Sequence, residues 1–217
     1  MSEVKCEVLY TVGHGTLAQE AFLELLCGAS IRDVIDIRSY PGSRHNPQFA
    51  KEKMERWVPE AGLTYAWMRD LGGRRKPVSG SRHVALRHPS FRSYADHMET
   101  PEFVAGVDEL LMGGDAQVVM CSESVWWRCH RRLVSDYVTL VRDVAVEHLM
   151  HDGRLMEHKV TDGVRRDGDR LVYDGGDSHR PVELAAGDVL LEHPQLDRAD
   201  VIAGHVVDVA GDSVPVW

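Results

Sequence analysis

Short runs of apolar and β-branched residues alternate with amphipathic stretches over the first 150 positions. Glu7 to Val12 predicts a strand that stops at Gly13-His14-Gly15. Thr16 then reads as a helix N-cap, with Gln19 completing a capping box, and Leu17, Phe22, Leu23, Leu25 and Leu26 carry the helix to about Gly28. Asp33 to Tyr40 predicts a second strand, and Asn46-Pro47 opens a helix running to Ala61-Gly62. Leu63 to Met68 predicts a third strand, followed by a long loop over 69–89 punctuated by glycine and proline. A short helix at about 90–98 and a second one opened by Thr100-Pro101-Glu102 come next. Gln117 to Ser122 then predicts a strand, Val125 to Val141 a helix and Val144 to His148 a fifth strand. This alternation predicts a three-layer α/β fold: a mostly parallel sheet with helices on both faces.

The texture changes at Asp152. Gly153 to Leu155 and Arg170 to Asp174 read as two strands of a hairpin, and 188–192 and 205–208 as further strands. The expected division is therefore an α/β domain over 1–151 and a small β-rich acidic appendage over 152–217.

Charge supports that division. The net charge of −9 is concentrated at the end: residues 171–217 carry −7, whereas 1–150 carry −2. Within the near-neutral part, residues 69–92 carry +6, enough to bind phosphate locally although the chain is acidic overall. No apolar run approaches the roughly 18 residues of a membrane span, and no secretory leader pattern opens the chain. Four cysteines in 217 residues are too few for a disulfide scaffold, so a cytoplasmic setting without a membrane partner is expected.

In a parallel sheet, ligands bind beyond the carboxyl ends of the strands. Those ends here carry His14, Asp36 with Arg38, the Gly72-Gly73-Arg74-Arg75 segment, and Cys121-Ser122-Glu123. Asp36 and Arg38 lie two apart and share a face, either as an internal ion pair or as an anion-binding guanidinium held by its carboxylate. The helix expected after Cys121 would lower its thiol pKa. Cys121, Cys129 and His130 offer a candidate metal-ligand set, although Cys-x7-Cys-His lacks the usual Cys-x2–4-Cys spacing. The alternative for the cysteines is two small buried side chains. Trp126 and Trp127 read as core or as base-stacking residues, and His83, His88 and His97 as solvated or local hydrogen bonders.

Five segments carry a family resemblance: Thr11 to Gly15, Asp36 to Phe49, Leu71 to Arg75, Phe91 to Asp96, and Met120 to Glu123 continuing through Trp127 to Arg131. In order, over about residues 8–175, the chain resembles the bacterial and archaeal Domain of Unknown Function 488 proteins. That family commonly carries Ser where this chain has Gly15. The resemblance implies an intracellular α/β domain and assigns no reaction.

Three functional readings follow. The first is an enzyme acting on a phosphate-bearing substrate, most plausibly a nucleotide or nucleic-acid base. In it Cys121, Glu123 and His14 are catalytic, and Asp36, Arg38, Arg44, Arg74, Arg75 and Arg131 bind the ligand. The second is a metalloenzyme using Cys121, Cys129 and His130, with Glu123 or His14 as a further ligand. The third is a non-catalytic nucleic-acid-binding module using the basic loop, which is expected to present its arginines to the crevice.

Overall fold

The computed structural model describes residues 6–42, 44–114 and 116–176. The chain divides into two units, Met1–Arg180 and Pro181–Trp217, and every described residue belongs to the first. The strand candidates at 188–192 and 205–208 lie outside the described residues.

Five parallel strands build the sheet: β1 (Val8–Gly13), β2 (Asp33–Asp36), β3 (Thr64–Trp67), β4 (Gln117–Cys121) and β5 (Ala145–Leu149). Their order is β3-β2-β4-β1-β5, extended at the β5 edge by β6 (Leu155–Glu157). β6 runs antiparallel, pairing Leu149 with Leu155. The Gly153 to Leu155 segment thus joins the main sheet rather than a separate hairpin. The hairpin forms instead between β7 (Val164–Asp167) and β8 (Arg170–Tyr173), around Gly168 at φ +67°. A two-residue connection with a left-handed glycine suits the twist of the paired strands.

Helices α1 (Gln19–Gly28) and α2 (Lys51–Glu60) cover one face of the sheet. There Phe22, Leu26, Met54, Trp57 and Val58 pack on Val12, Val34, Val118 and Met120. Helices α3 (Pro89–His97), α4 (Pro101–Leu111) and α5 (Arg131–Arg142) cover the other, over Leu9, Val119, Cys121 and Val146. Val164, Leu171 and Tyr173 of the hairpin belong to this second core. The alternation of side chains along each strand sorts the two sets, and every position of the central strand β4 is buried.

The expected caps divide. Thr100 caps α4, its hydroxyl accepting from Phe103 N. Thr16 does not cap α1, which starts later with Ala18 at the cap position and no side-chain cap bond. Asn46-Pro47 opens only a short 3-10 turn, and α2 begins at Lys51. The helix expected over 125–141 is interrupted: a 3-10 turn at Trp126–Arg128 gives way to an extended Cys129 at φ −116°, ψ 154°, and α5 follows. That break sets the geometry of the site.

Candidate metal centre

The carboxyl ends of β1, β2, β3 and β4 lie together, with Gly13 opposite Cys121 and Asp36 opposite both Trp67 and Met120. The period of two then divides the candidate residues between the faces. Cys121 continues the Val119 face beneath α5, whereas His14 and Asp36 continue the Val12 and Val34 face beneath α2.

On the α5 face, the extended residue before the helix brings Cys129 back to Cys121. His130 Nδ1 lies 3.6 Å from Cys129 Sγ and 3.8 Å from Cys121 Sγ. The three ligand atoms all fall within 4.8 Å of one another, a cluster geometrically compatible with a metal-binding site. His130 Nε2 lies 3.2 Å from Ile37 O. A carbonyl can only accept, so Nε2 carries the hydrogen and the Nδ1 lone pair faces the sulfurs. Tyr94 packs edge-on against the ring at 5.0 Å and donates to Leu71 O. The Gly72-Gly73 turn lies against it, tied down by the Ser39 hydroxyl donating to Gly73 O.

Both cysteines are free thiols, with no disulfide between them. Their ionisation reverses the expectation for Cys121. Its hydrogen bond to Cys129, with burial, pushes the Cys121 thiol up to about 12. Burial opposes ionisation of Cys129 too. The hydrogen bond from Cys121, the Arg131 charge and the Arg131 backbone N–H outweigh it, bringing Cys129 down to about 6. Cys129 is the more acidic of the two because it lies beside Arg131 and accepts from Cys121.

On the α2 face, Arg38 grips Asp36 with two bonds, Nε to Oδ1 at 2.9 Å and Nη2 to Oδ2 at 2.6 Å. Nη2 also donates to Phe49 O, and Tyr65 donates to Asp36 Oδ2. Of the two sequence readings for this pair, the geometry is that of the internal ion pair. His14 stacks on Phe49 at 4.2 Å, donates Nδ1–H to Gly15 O and turns its Nε2 lone pair to Arg38 Nη1 at 3.3 Å. Burial, then the Arg38 charge, lowers its pKa to about 4.

Arg131 is 1% exposed. It donates from Nη2 to the carbonyls of Glu123 and Ser124 and from Nη1 to Thr11 Oγ1. Only glycine fits at position 13, since a Cβ there would lie 1.8 Å from Glu123 O. The Glu123 carboxylate is exposed and accepts from Val125 N. Arg75 folds back on the carbonyls of Arg69, Asp70 and Gly72, and Arg82 pairs with Glu99 and Asp167. Those two arginines therefore hold the 69–89 loop in place instead of facing a crevice. Arg44 and Arg74 are exposed.

A buried chain of polar groups escapes sequence reasoning altogether. Asp136 on α5 accepts from His158 Nε2, Thr161 N and the Tyr173 hydroxyl. His158 Nδ1 and His148 Nε2 share a hydrogen bond at 3.1 Å. His148 Nδ1 in turn hydrogen-bonds the Thr11 hydroxyl, which accepts from Arg131. The chain runs unbroken from Arg131 to Asp136, and Trp126 stacks on His148 at 4.0 Å. The one available signal was polar Thr11 and His148 at positions whose strand neighbours two residues away, Leu9 and Val146, are core.

The model of the family described as Domain of unknown function DUF488 matches residues 18–138, more than half of the chain. The chain belongs to that family. No curated protein and no solved structure matches it. Among the described residues, no helix is long and apolar enough to cross a membrane.

Proposed function

We propose that this protein is a metal-dependent enzyme whose Cys121, Cys129 and His130 hold a zinc-like divalent ion, leaving a fourth position for water or substrate. One observation carries the reading: the placement of His130 between the two sulfurs. Zinc–sulfur and zinc–nitrogen bonds of about 2.3 and 2.05 Å at a tetrahedral angle separate S and N by about 3.6 Å. The two S···N distances are 3.6 and 3.8 Å. The Nε2–H bond to a backbone carbonyl is also the usual outer partner of a metal-ligating histidine, fixing the tautomer and orienting the ring. Among the described residues the cluster has three members. Structural zinc sites close with four protein ligands, whereas catalytic ones use three.

When bound, such an ion polarises an ester, phosphoryl or amide centre and activates a water. The chain's own residues supply the rest. Tyr94 and the Gly72-Gly73 turn hold the imidazole, Arg131 holds the turn after β4, and exposed Glu123 is the carboxylate we assign to proton transfer. His14 and Asp36 fix Arg38 at the strand ends. A phosphate-bearing substrate remains the class that the surrounding arginines favour, with Arg44 and Arg74 as the exposed cations.

Protein purified without a histidine tag should carry one ion per chain by elemental analysis, and Cys129→Ser or His130→Ala should lose it. The cobalt-loaded protein should show thiolate-to-metal absorption that azide shifts by entering the open position. Absence of that absorption would sink the metal reading, and a spectrum indifferent to azide would make the site structural. A milder change tests the same ring. A Cβ on Gly73 would lie 3.0 Å from His130 Nδ1. Gly73→Ala should fold normally and bind the metal roughly 10–100-fold more weakly, the usual effect of disturbing a ligand's support. Competition with a chromophoric chelator measures this.

A further inference from the structure

We propose, resting on the metal-site reading, that the substrate class is single-stranded nucleic acid, held by Tyr40 and Trp127 stacking on bases and by Arg74 and Arg128 on phosphates. Most large aromatics in this fold are buried: Tyr94, Tyr137, Tyr173 and Trp126 are all under a tenth exposed. Tyr40 and Trp127 are exceptions, at 66% and 45% exposed, more than Trp67 at 36%.

Their chain positions tie these four residues to the site. Tyr40 follows Ser39, whose hydroxyl bonds Gly73 O, and Arg74 follows Gly73, which lies against the His130 ring. Trp127 and Arg128 directly precede Cys129. Adjacent Cα atoms are about 3.8 Å apart, so all four begin within a few residues of a ligand or its support. Trp126 holds Trp127 in place edge-on at 5.5 Å while itself buried on His148.

Arg74 adds an independent sign. Its φ is +56°, a left-handed conformation uncommon for a residue other than Gly, Asn or Asp. The side chain is exposed, and among the described residues no ion pair takes up its charge or that of Arg128. Strain of this kind clusters where a ligand must be met.

Charge complementarity selects the occupant. The 69–92 stretch carries +6, and only part of it is spent internally: Arg82 pairs with carboxylates, while Arg75 and Arg92 bond backbone carbonyls. An anionic polymer is therefore favoured. Exposed aromatic rings interleaved with arginines suit unpaired bases, whose faces are free to stack, better than a duplex or an acidic peptide.

The test uses the full chain and a fluorescein-labelled dT15 probe read by anisotropy. Wild type should bind dT15 more tightly than a duplex of the same length, and affinity should fall as salt rises. Trp127→Ala and Tyr40→Ala should each weaken binding about 10-fold or more, the scale of one lost stacking contact. Arg74→Ala and Arg128→Ala should each lower the salt slope by about 0.7. Equal affinity for dT15 and duplex, displacement by polyglutamate as effective as by dT15, or no effect of Trp127→Ala would each overturn the proposal. Metal content is measured on the same samples. Binding that persists in a protein shown to hold no ion supports the surface while the metal reading fails. Retained metal with no dT15 binding overturns the surface alone.

Discussion

Arg131→Ala should lower the melting temperature by roughly 10 °C, while Glu123→Gln should leave it within a few degrees. The two residues are eight apart and both border the turn after β4, yet they hold it by opposite means. Arg131 contributes its guanidinium, 1% exposed, to the carbonyls of Glu123 and Ser124 and to Thr11. Truncation leaves two acceptors without a charged donor, empties a buried volume, and strands the Thr11–His148–His158–Asp136 chain without its terminal cation. Removing one partner from a buried charged network costs about 3–5 kcal/mol, and in a chain this size each kcal/mol moves the midpoint by roughly 2–4 °C. Glu123 contributes its backbone to that network, and the backbone survives the change to Gln. Among the described residues its exposed carboxylate bonds only Val125 N, so its loss costs at most about 1 kcal/mol. Arg131→Lys should rescue little, because an ammonium cannot reach both carbonyls and the hydroxyl as a planar fork does. Thermal melts of the three variants side by side check this. An Arg131→Ala melt within 2 °C of wild type would show that the guanidinium does not hold the turn.

The alternation of strand and helix was legible because each element carries its own period. The carboxyl-edge rule correctly gathered β1, β2 and β4, whose ends do lie together. The edge alone could not say on which side of the sheet each residue falls. Counting by twos from the core residues separates Cys121 from His14 and Asp36. It requires the register of neighbouring strands, which sequence does not contain. The helix expected over 125–141 failed at Cys129 for a related reason. The polar run Arg128-Cys129-His130-Arg131 interrupts the amphipathic pattern there, but the Cys121 contact that Cys129 makes is tertiary.

For Arg38, Arg75 and Arg131 the sequence shows a charge but not its partners. Charge in a sequence reports supply, not use. Arg38, Arg75 and Arg131 spend their donors on Asp36 and on backbone carbonyls that the loops leave unpaired. A loop crossing a sheet edge exposes carbonyls, and five-donor side chains are the cheapest way to satisfy several at once. That demand is invisible until the loop's path is known. The buried histidines escaped for the converse reason: His148 and His158 lie ten apart and meet only because β6 folds back on β5.

Acidification should unfold this protein earlier than surface titration alone allows, with His148 as a principal cause. Burial first, then the neighbouring His158 and Arg131, hold its folded pKa down at about 2, against 6.5 in an unfolded chain. The groups facing it are Arg131 from α5, His158 from the segment after β6, and Asp136 beyond His158; Thr11 and Trp126 complete its surroundings without titrating. Below pH 6.5 the unfolded chain takes up a proton that the folded one refuses. Stability that is fully present above that pH is lost as pH falls, down to about pH 2. One such proton is worth about 1.4 kcal/mol per pH unit, so the step from pH 6 to pH 4 costs about 3 kcal/mol from this residue. Urea denaturation at pH 7, 6, 5 and 4 measures the slope. His148→Gln cannot titrate, so its slope should be shallower by one proton even though its stability at pH 7 is lower. Carboxylates and histidines outside this hydrogen-bonded chain contribute equally to both proteins and cancel in the difference, whereas His158, bonded to His148, does not. Identical slopes would mean that His148 accepts a proton in the folded state.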